Sequence, residues 1–151
     1  MKSWTEEVQI NASIEHVFSY LDGPLEQMQK IMPQVIENTP VKETAAVVGN
    51  VYLQKYKEGE EIQEYEVETL EYVNTSTHKT LKVEFVLANM FNITATYELE
   101  KIDEDHTLFR YIATNQALNE NAERFLQFAT NEVVVSFVNR VKSVAESEYN
   151  S

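Results

Sequence analysis

The chain contains no cysteine, and only three glycines and three prolines occur among its 151 residues. Without cysteine there is no disulfide framework, no thiolate metal site and no thiol nucleophile. The last proline is Pro40 and the last glycine is Gly59. Later turns must therefore use Asn and Asp, which tolerate left-handed backbone dihedrals. The candidate turns are residues 74–77, Asn89 and residues 103–105.

Basic residues are also scarce. Twelve Lys and Arg stand against 25 Asp and Glu, which gives a formal net charge of −13. Such a field repels phosphate backbones and anionic lipid surfaces, so neither nucleic acid nor a membrane surface is predicted as a partner. Residues 1–10 lack an apolar signal segment, and no apolar run reaches the length of about 18 residues that membrane insertion needs. We predict a cytoplasmic protein.

The motifs of several enzyme classes are missing. There is no glycine-rich phosphate loop and no Gly-x-Ser-x-Gly elbow, so nucleotide chemistry and serine hydrolysis have no support. His16, His78 and His106 lack the spacing of a metal site. We therefore predict no metal and no cofactor. The glutamates between residues 58 and 68 alternate with apolar residues, which is typical of a solvated strand face.

Length and a hydrophobic content of 43% predict one globular domain over residues 1–151. Alternation predicts a strand over 4–10, and Ser13 can cap a helix that ends at the Asp22, Gly23, Pro24 break. A second short helix is predicted between Pro24 and Pro33. Period-two patterning then predicts six strands, near 34–43, 50–58, 61–72, 78–88, 91–102 and 107–116.

The remaining segment predicts one unbroken amphipathic helix from about Asn121 to the C-terminus. Its apolar residues form two helical sets, and the second is displaced by one residue. We therefore predict a bend near residues 133–135, or burial on all sides there. The order of elements predicts an α+β fold, in which a seven-stranded curved antiparallel sheet wraps around a long C-terminal helix, with two short helices between strands 1 and 2.

Alternation also predicts the inner face of the sheet, which mixes large apolar groups with phenolic hydroxyls and an amide. Each buried hydroxyl without a partner costs about 1 to 3 kcal/mol. A cavity with a polar-tipped ligand would supply partners, and so would backbone or solvent around ordinary core tyrosines. On the first alternative, the candidate ligand-binding residues are Met28, Met32, Tyr65, Phe85, Phe91, Tyr97, Phe109, Tyr111, Asn115, Phe125 and Ala129.

The segment INASIEHVFSYL at residues 10–21 resembles the opening of the START-like helix-grip superfamily, which includes polyketide cyclase/dehydrase-like proteins, pollen-allergen relatives and Hsp90 activators. The segment TATYELE at 94–100, with the hairpin after it, is similar to the penultimate hairpin of that family. Ser13 replaces a common proline, and residues 104–106 replace a common glycine. The resemblance implies a deep hydrophobic cavity between sheet and terminal helix, and it transfers no catalytic residue.

Three hypotheses about function follow. The first is binding of a small hydrophobic ligand, such as a lipid, a sterol or a polyketide-like molecule, by a monomer or homodimer. The second is an enzyme of the cyclase, dehydratase or isomerase type that uses the same cavity, with Tyr97 or Tyr111 as proton donor or Asn115 orienting a carbonyl. The third is an interaction protein of the Hsp90-activator kind, which would use an outer surface.

Overall fold

The computed structural model describes residues 1–150, and Ser151, the last residue of the predicted domain, lies outside them. The described part of the chain forms seven strands and four helices. In order these are β1 (Lys2–Ile10), α1 (Ile14–Phe18), α2 (Leu25–Ile31), β2 (Val35–Lys42), β3 (Val51–Glu58), β4 (Glu61–Asn74), β5 (His78–Leu87), β6 (Phe91–Asp103), β7 (His106–Ala117), α3 (Glu120–Gln127) and α4 (Glu132–Tyr149).

All seven strands form one antiparallel sheet in the order β1-β7-β6-β5-β4-β3-β2. Strands β2 to β7 follow one another as antiparallel neighbours. The last strand, β7, also pairs with β1, the first strand of the chain. The predicted fold class, with seven strands and two short helices after the first, is confirmed. The predicted cap at Ser13 also forms, since the Ser13 hydroxyl accepts from the His16 amide at 3.2 Å.

The late hairpins turn without glycine, as the composition requires. Between β5 and β6, Ala88 and Asn89 have φ of 53° and 57°, in the left-handed region. Between β6 and β7, the Asp103 side chain accepts from the Asp105 amide at 2.9 Å. Such side-chain bonds to the local backbone stabilise a turn where no glycine is present.

The prediction of one unbroken terminal helix is wrong. The helix stops at Gln127 and restarts at Glu132, and the predicted bend at residues 133–135 falls inside regular helix, where Val133 is 80% exposed. The Lys2 ammonium donates to the carbonyls of Gln127 at 3.2 Å and Ala129 at 3.0 Å. These carbonyls are thus satisfied at the end of α3, and the chain begins a separate helix at Glu132.

The core lies where α1, α2 and α4 meet the sheet. Helix α4 runs along β1 and also contacts α1 and α2. The Tyr20 hydroxyl donates to Glu148 of α4, and Lys30 of α2 pairs with the same carboxylate at 2.9 Å. None of the described helices is long and apolar enough to cross a membrane. The buried core cluster includes Ile10, Val17, Phe18, Tyr20, Ile31, Leu81, Leu99, Phe109, Val138, Val141 and Ala145.

A lysine ties α1 to the β4–β5 hairpin. Lys79 is 1% exposed, and its ammonium contacts Asn74 Oδ1, the Thr75 carbonyl at 3.0 Å and Glu15 at 3.1 Å. The same nitrogen lies 5.3 Å from the centre of the Phe18 ring. Every donor of this buried charge thus has a partner, which is the condition for burying an ammonium group.

Candidate ligand-binding groove

Strand register places a continuous set of side chains on the inner face of the sheet. Residues opposite one another in antiparallel strands share a face, and the pairs Glu6 with Tyr111, and Tyr111 with Tyr97, therefore run across β1, β7 and β6. Tyr97 lies in the core cluster, which identifies this face as the inner one. We call the space between this face and the helices the inner groove.

Two aromatic stacks line the inner groove. Tyr97 and Tyr111 stack with their ring centres 5.3 Å apart, and Phe137 of α4 lies against both, at 6.0 Å and 4.8 Å. Tyr65 stacks on Phe85 with ring centres 4.7 Å apart. Offset stacking of this kind stabilises aromatic pairs beyond their area burial.

Polar atoms in the groove fall into two groups. The Tyr65 hydroxyl donates to Gln54 Oε1 at 2.8 Å, and the Gln54 amide donates to Asn38 at 3.3 Å and to Met28 Sδ at 3.8 Å. In contrast, the hydroxyls of Tyr97 and Tyr111 make no hydrogen bond with the described residues. These two therefore remain available to a bound molecule.

Burial keeps these phenols protonated. Desolvation raises the pKa of Tyr65 to about 12, with a smaller contribution from Tyr56. Desolvation also raises the pKa of Tyr111 to about 12, and it raises that of Tyr97 well above its usual value, aided by Tyr111 and Tyr65. At neutral pH each phenol is a hydrogen-bond donor rather than an anion.

The helices leave much of the inner face uncovered. Phe85, Phe91 and Ile93 are only half-buried, and so are Tyr111 and Asn115. The Asn115 Oδ1 atom is itself buried and has no hydrogen-bond partner within residues 1–150. The inner face therefore keeps partly accessible aromatic surface at this end of the sheet.

The structure brings together part of the predicted set. Met28 and Tyr65 both contact Gln54, Phe85 stacks on Tyr65, and Tyr97 stacks on Tyr111. Met32 packs against the core cluster from the end of α2.

The other predicted residues lie elsewhere. Phe109 is 0% exposed in the core, Phe125 is 66% exposed on α3, and Ala129 follows the end of α3. Phe125 is exposed because α3 buries the face that carries Ala122 and Leu126, whereas Ala129 lies in the break at residues 128–131.

Three further groove residues were absent from the predicted set. Gln54 and Phe137 contact its aromatics directly, and Glu6 lies opposite Tyr111. The alternation of β1, in which Val8 and Ile10 face inward, could have placed Glu6 on the inner face. Glu6 was not included because an acidic residue in a strand is usually assigned to the solvated side.

A separate recess of about 380 Å³ lies on the opposite, outer face of the sheet. Register places its threonines there, since Thr94 and Thr96 alternate with the inward Ala95. The Lys82 ammonium faces Glu71 in this recess at 3.8 Å. The outer recess is polar and solvent-exposed and is not the predicted cavity. Its lining consists of Glu71, Lys82, Thr94, Thr96, Glu98, Ile112 and Thr114.

No protein-family model matches the sequence, and no functionally characterised protein matches it by sequence similarity. Solved structures do match. The Zhui aromatase/cyclase from Streptomyces sp. R1128 superposes with a TM-score of 0.74 at 12% identity, over 97% of this chain and 94% of that one. The chain has the helix-grip fold. The pairing of β1 with β7 and the long helix packed on the sheet are features of that fold.

Two plant proteins share this helix-grip fold. Norcoclaurine synthase from Thalictrum flavum, solved with a transition-state analogue, matches with a TM-score of 0.67 at 13% identity, over 99% of this chain and 96% of that one. Ginseng major latex-like protein 151 from Panax ginseng matches with a TM-score of 0.68 at 18% identity, over 99% and 98% of the two chains. At such identities the likeness establishes the fold alone.

Proposed function

We propose that this protein binds a small hydrophobic ligand, of lipid, sterol or polyketide-like size, in the inner groove. The observation that carries the proposal is the accessible aromatic inner face, in which the Tyr97 and Tyr111 hydroxyls have no partner among the described residues. A ligand that removes about 200 Å² of apolar surface from water gains on the order of 5 kcal/mol before the costs of association.

The solved neighbours are consistent with this use of the fold. One of them carries a transition-state analogue, and another is named an aromatase/cyclase. These titles describe those proteins, and the present chain shares 13% and 12% of its sequence with them. The proposal therefore depends on this chain's own groove residues.

The test is uptake of the uncharged fluorescent probe N-phenyl-1-naphthylamine. We expect saturable binding by the wild-type protein, with at least about tenfold weaker binding by Ala113→Trp, because Ala113 lies on the inner face opposite Trp4 and a large ring would fill the groove. Ile112→Trp is the matched control, since Ile112 is the next residue and lines the outer recess. Absent uptake, or equal binding by a folded Ala113→Trp variant, would contradict the proposal.

A second candidate is an enzyme of the cyclase, dehydratase or isomerase type. The observation that favours it is the pair of adjacent protonated phenols, which could donate hydrogen bonds to a developing oxyanion of a bound carbonyl compound. Turnover of any carbonyl compound that binds should then fall at least about tenfold in Tyr97→Phe or Tyr111→Phe, with binding retained. Unchanged turnover in both variants would eliminate this candidate.

A further inference from the structure

Glu6 occupies an unusual position for a carboxylate. It lies in the middle of β1, and the register places it directly opposite Tyr111, whose ring stacks on Tyr97. Residues along β1 alternate between partly buried and exposed, and Glu6 is on the partly buried side with Trp4 and Val8. The side chain therefore enters the inner groove.

This carboxylate has no partner. Among residues 1–150, Glu6 makes neither an ion pair nor a hydrogen bond. Its neighbour Glu7, on the outer face, accepts from Arg110 at 2.6 Å. A carboxylate on a partly buried strand face, without a counter-charge from the described residues, can pair with a ligand that supplies the opposite charge.

The lysines of the inner face do not supply that charge. Lys2 donates to the carbonyls at the end of α3, and Lys79 is enclosed by its own hairpin and Glu15. Lys101, two residues after the inward Leu99, pairs with Glu104 at 2.8 Å, so all three ammonium groups have other partners. Among residues 1–150, Glu6 thus places an unpaired carboxylate on the face that carries the two phenol rings, whose faces also attract cations.

We infer that the inner groove selects amphipathic amines, with Glu6 accepting from the protonated amine and the Tyr97 and Tyr111 rings contacting the apolar part. The inference rests on the proposed function, because it names the ligand class of the same groove. The net charge of −13 adds a field that attracts cations and repels carboxylates. Glu6 would be the residue that determines specificity.

The test compares three probes with the same ring system: 2-(1-naphthyl)ethylamine, 2-(1-naphthyl)ethanol and 1-naphthylacetate. Calorimetry at neutral pH should show the amine binding about tenfold more tightly than the alcohol, and the acid most weakly, because a charge-assisted hydrogen bond forms only with the amine. The isosteric variant Glu6→Gln should bind amine and alcohol within about twofold of each other. Its affinity for the alcohol should stay that of the wild type.

Glu66→Gln is the matched control. It removes the same charge from the outer face, where Glu66 pairs in register with Leu53, and it should keep the full preference for the amine. If the alcohol binds but the amine binds no better, or if Glu6→Gln keeps the preference, the inference is overturned while groove binding stands. If none of the three probes binds, both proposals fall. Circular dichroism of each variant establishes that it is folded.

Discussion

Tyr97 and Tyr111 stack across the β6–β7 pair with their ring planes inclined by only 13°. Phe137 of α4 closes on the same two rings, so this cluster is where the terminal helix contacts the middle of the sheet. Both hydroxyls lack hydrogen bonds within the described chain. The cluster therefore combines packing with two unused donors, and the variants below separate these two properties.

The raised pKa of Tyr111 predicts a loss of stability at alkaline pH. An unfolded tyrosine ionises near pH 10, whereas folded Tyr111 holds its proton until about pH 12. The unfolded state releases the proton first, so stability present below pH 10 falls as the pH rises towards 12. Between about pH 9 and about pH 11.5, the free energy of unfolding should fall in both proteins, and the fall should be about 1 to 2 kcal/mol smaller in Tyr111→Phe than in the wild type. Urea unfolding at both pH values measures the difference.

Tyr111→Phe should cost little at neutral pH, because the deleted hydroxyl has no hydrogen bond to lose. Tyr65→Phe provides a comparison, since it removes the hydrogen bond to Gln54 and should lower the free energy of unfolding by about 1 kcal/mol.

The prediction for alkaline pH would be contradicted by equal pH dependence of stability in the wild type and in Tyr111→Phe. That result would show that folded Tyr111 ionises as it does in the unfolded chain.

Replacing Lys79 should destabilise the fold markedly. Lys79→Met leaves Asn74 Oδ1 and the Thr75 carbonyl without their donor, and we expect a loss of about 2 to 3 kcal/mol. Glu15→Gln is the control. The Glu15 side chain is 69% exposed, so loss of its charge should lower the free energy of unfolding by less than about 1 kcal/mol. Urea unfolding with similar slopes measures both, and equal losses would contradict the assignment.

The Lys2 ammonium should stabilise α3 against local unfolding. Lys2→Met removes its bonds to the carbonyls of Gln127 and Ala129, so amide hydrogen exchange over residues 120–131 should accelerate about tenfold while global stability changes by below about 1 kcal/mol. Lys42→Met, on the exposed edge strand β2, is the control and should leave that exchange unchanged. Unchanged exchange in Lys2→Met would show that packing against β7 alone holds α3.

Phe125 remains a candidate ligand contact despite its exposure. Because it is 66% exposed, Phe125→Ser should change the free energy of unfolding by below about 0.5 kcal/mol. We expect several-fold weaker uptake of N-phenyl-1-naphthylamine if a bound ligand covers this ring, at about 25 cal/mol per Å². Ile102→Ser, at an exposed position near the β6–β7 turn, is the control. Equal uptake by both variants would remove Phe125 from the site.

Local patterns were sufficient for the strands and their faces. Period-two alternation placed the β6 strand, and the inward set that includes Ala95, Tyr97 and Leu99 is buried as predicted. Asn89 turned the glycine-free hairpin because a short polar side chain tolerates positive φ. Each of these properties depends on residues adjacent in the chain or directly across one hairpin, so the sequence carries it.

The break in the terminal helix is accompanied by a contact that no local pattern contains. Residues 121–145 show two apolar sets displaced by one residue, which fits a bend as well as a break. In the folded chain the carbonyls at the break accept from Lys2, which lies 125 and 127 residues away from them. Because this partner comes from the other end of the chain, only the folded structure could identify it.

The sequence by itself determined the α+β class, the seven strands and the aromatic character of the inner face, because periodicity and side-chain polarity act over short distances. Tertiary structure decided which polar groups found partners. It enclosed Lys79 among three acceptors, and it left the Glu6 carboxylate opposite Tyr111 without a hydrogen-bond donor among the described residues. Partner choice depends on strand register and helix placement, which set distances between residues far apart in the chain.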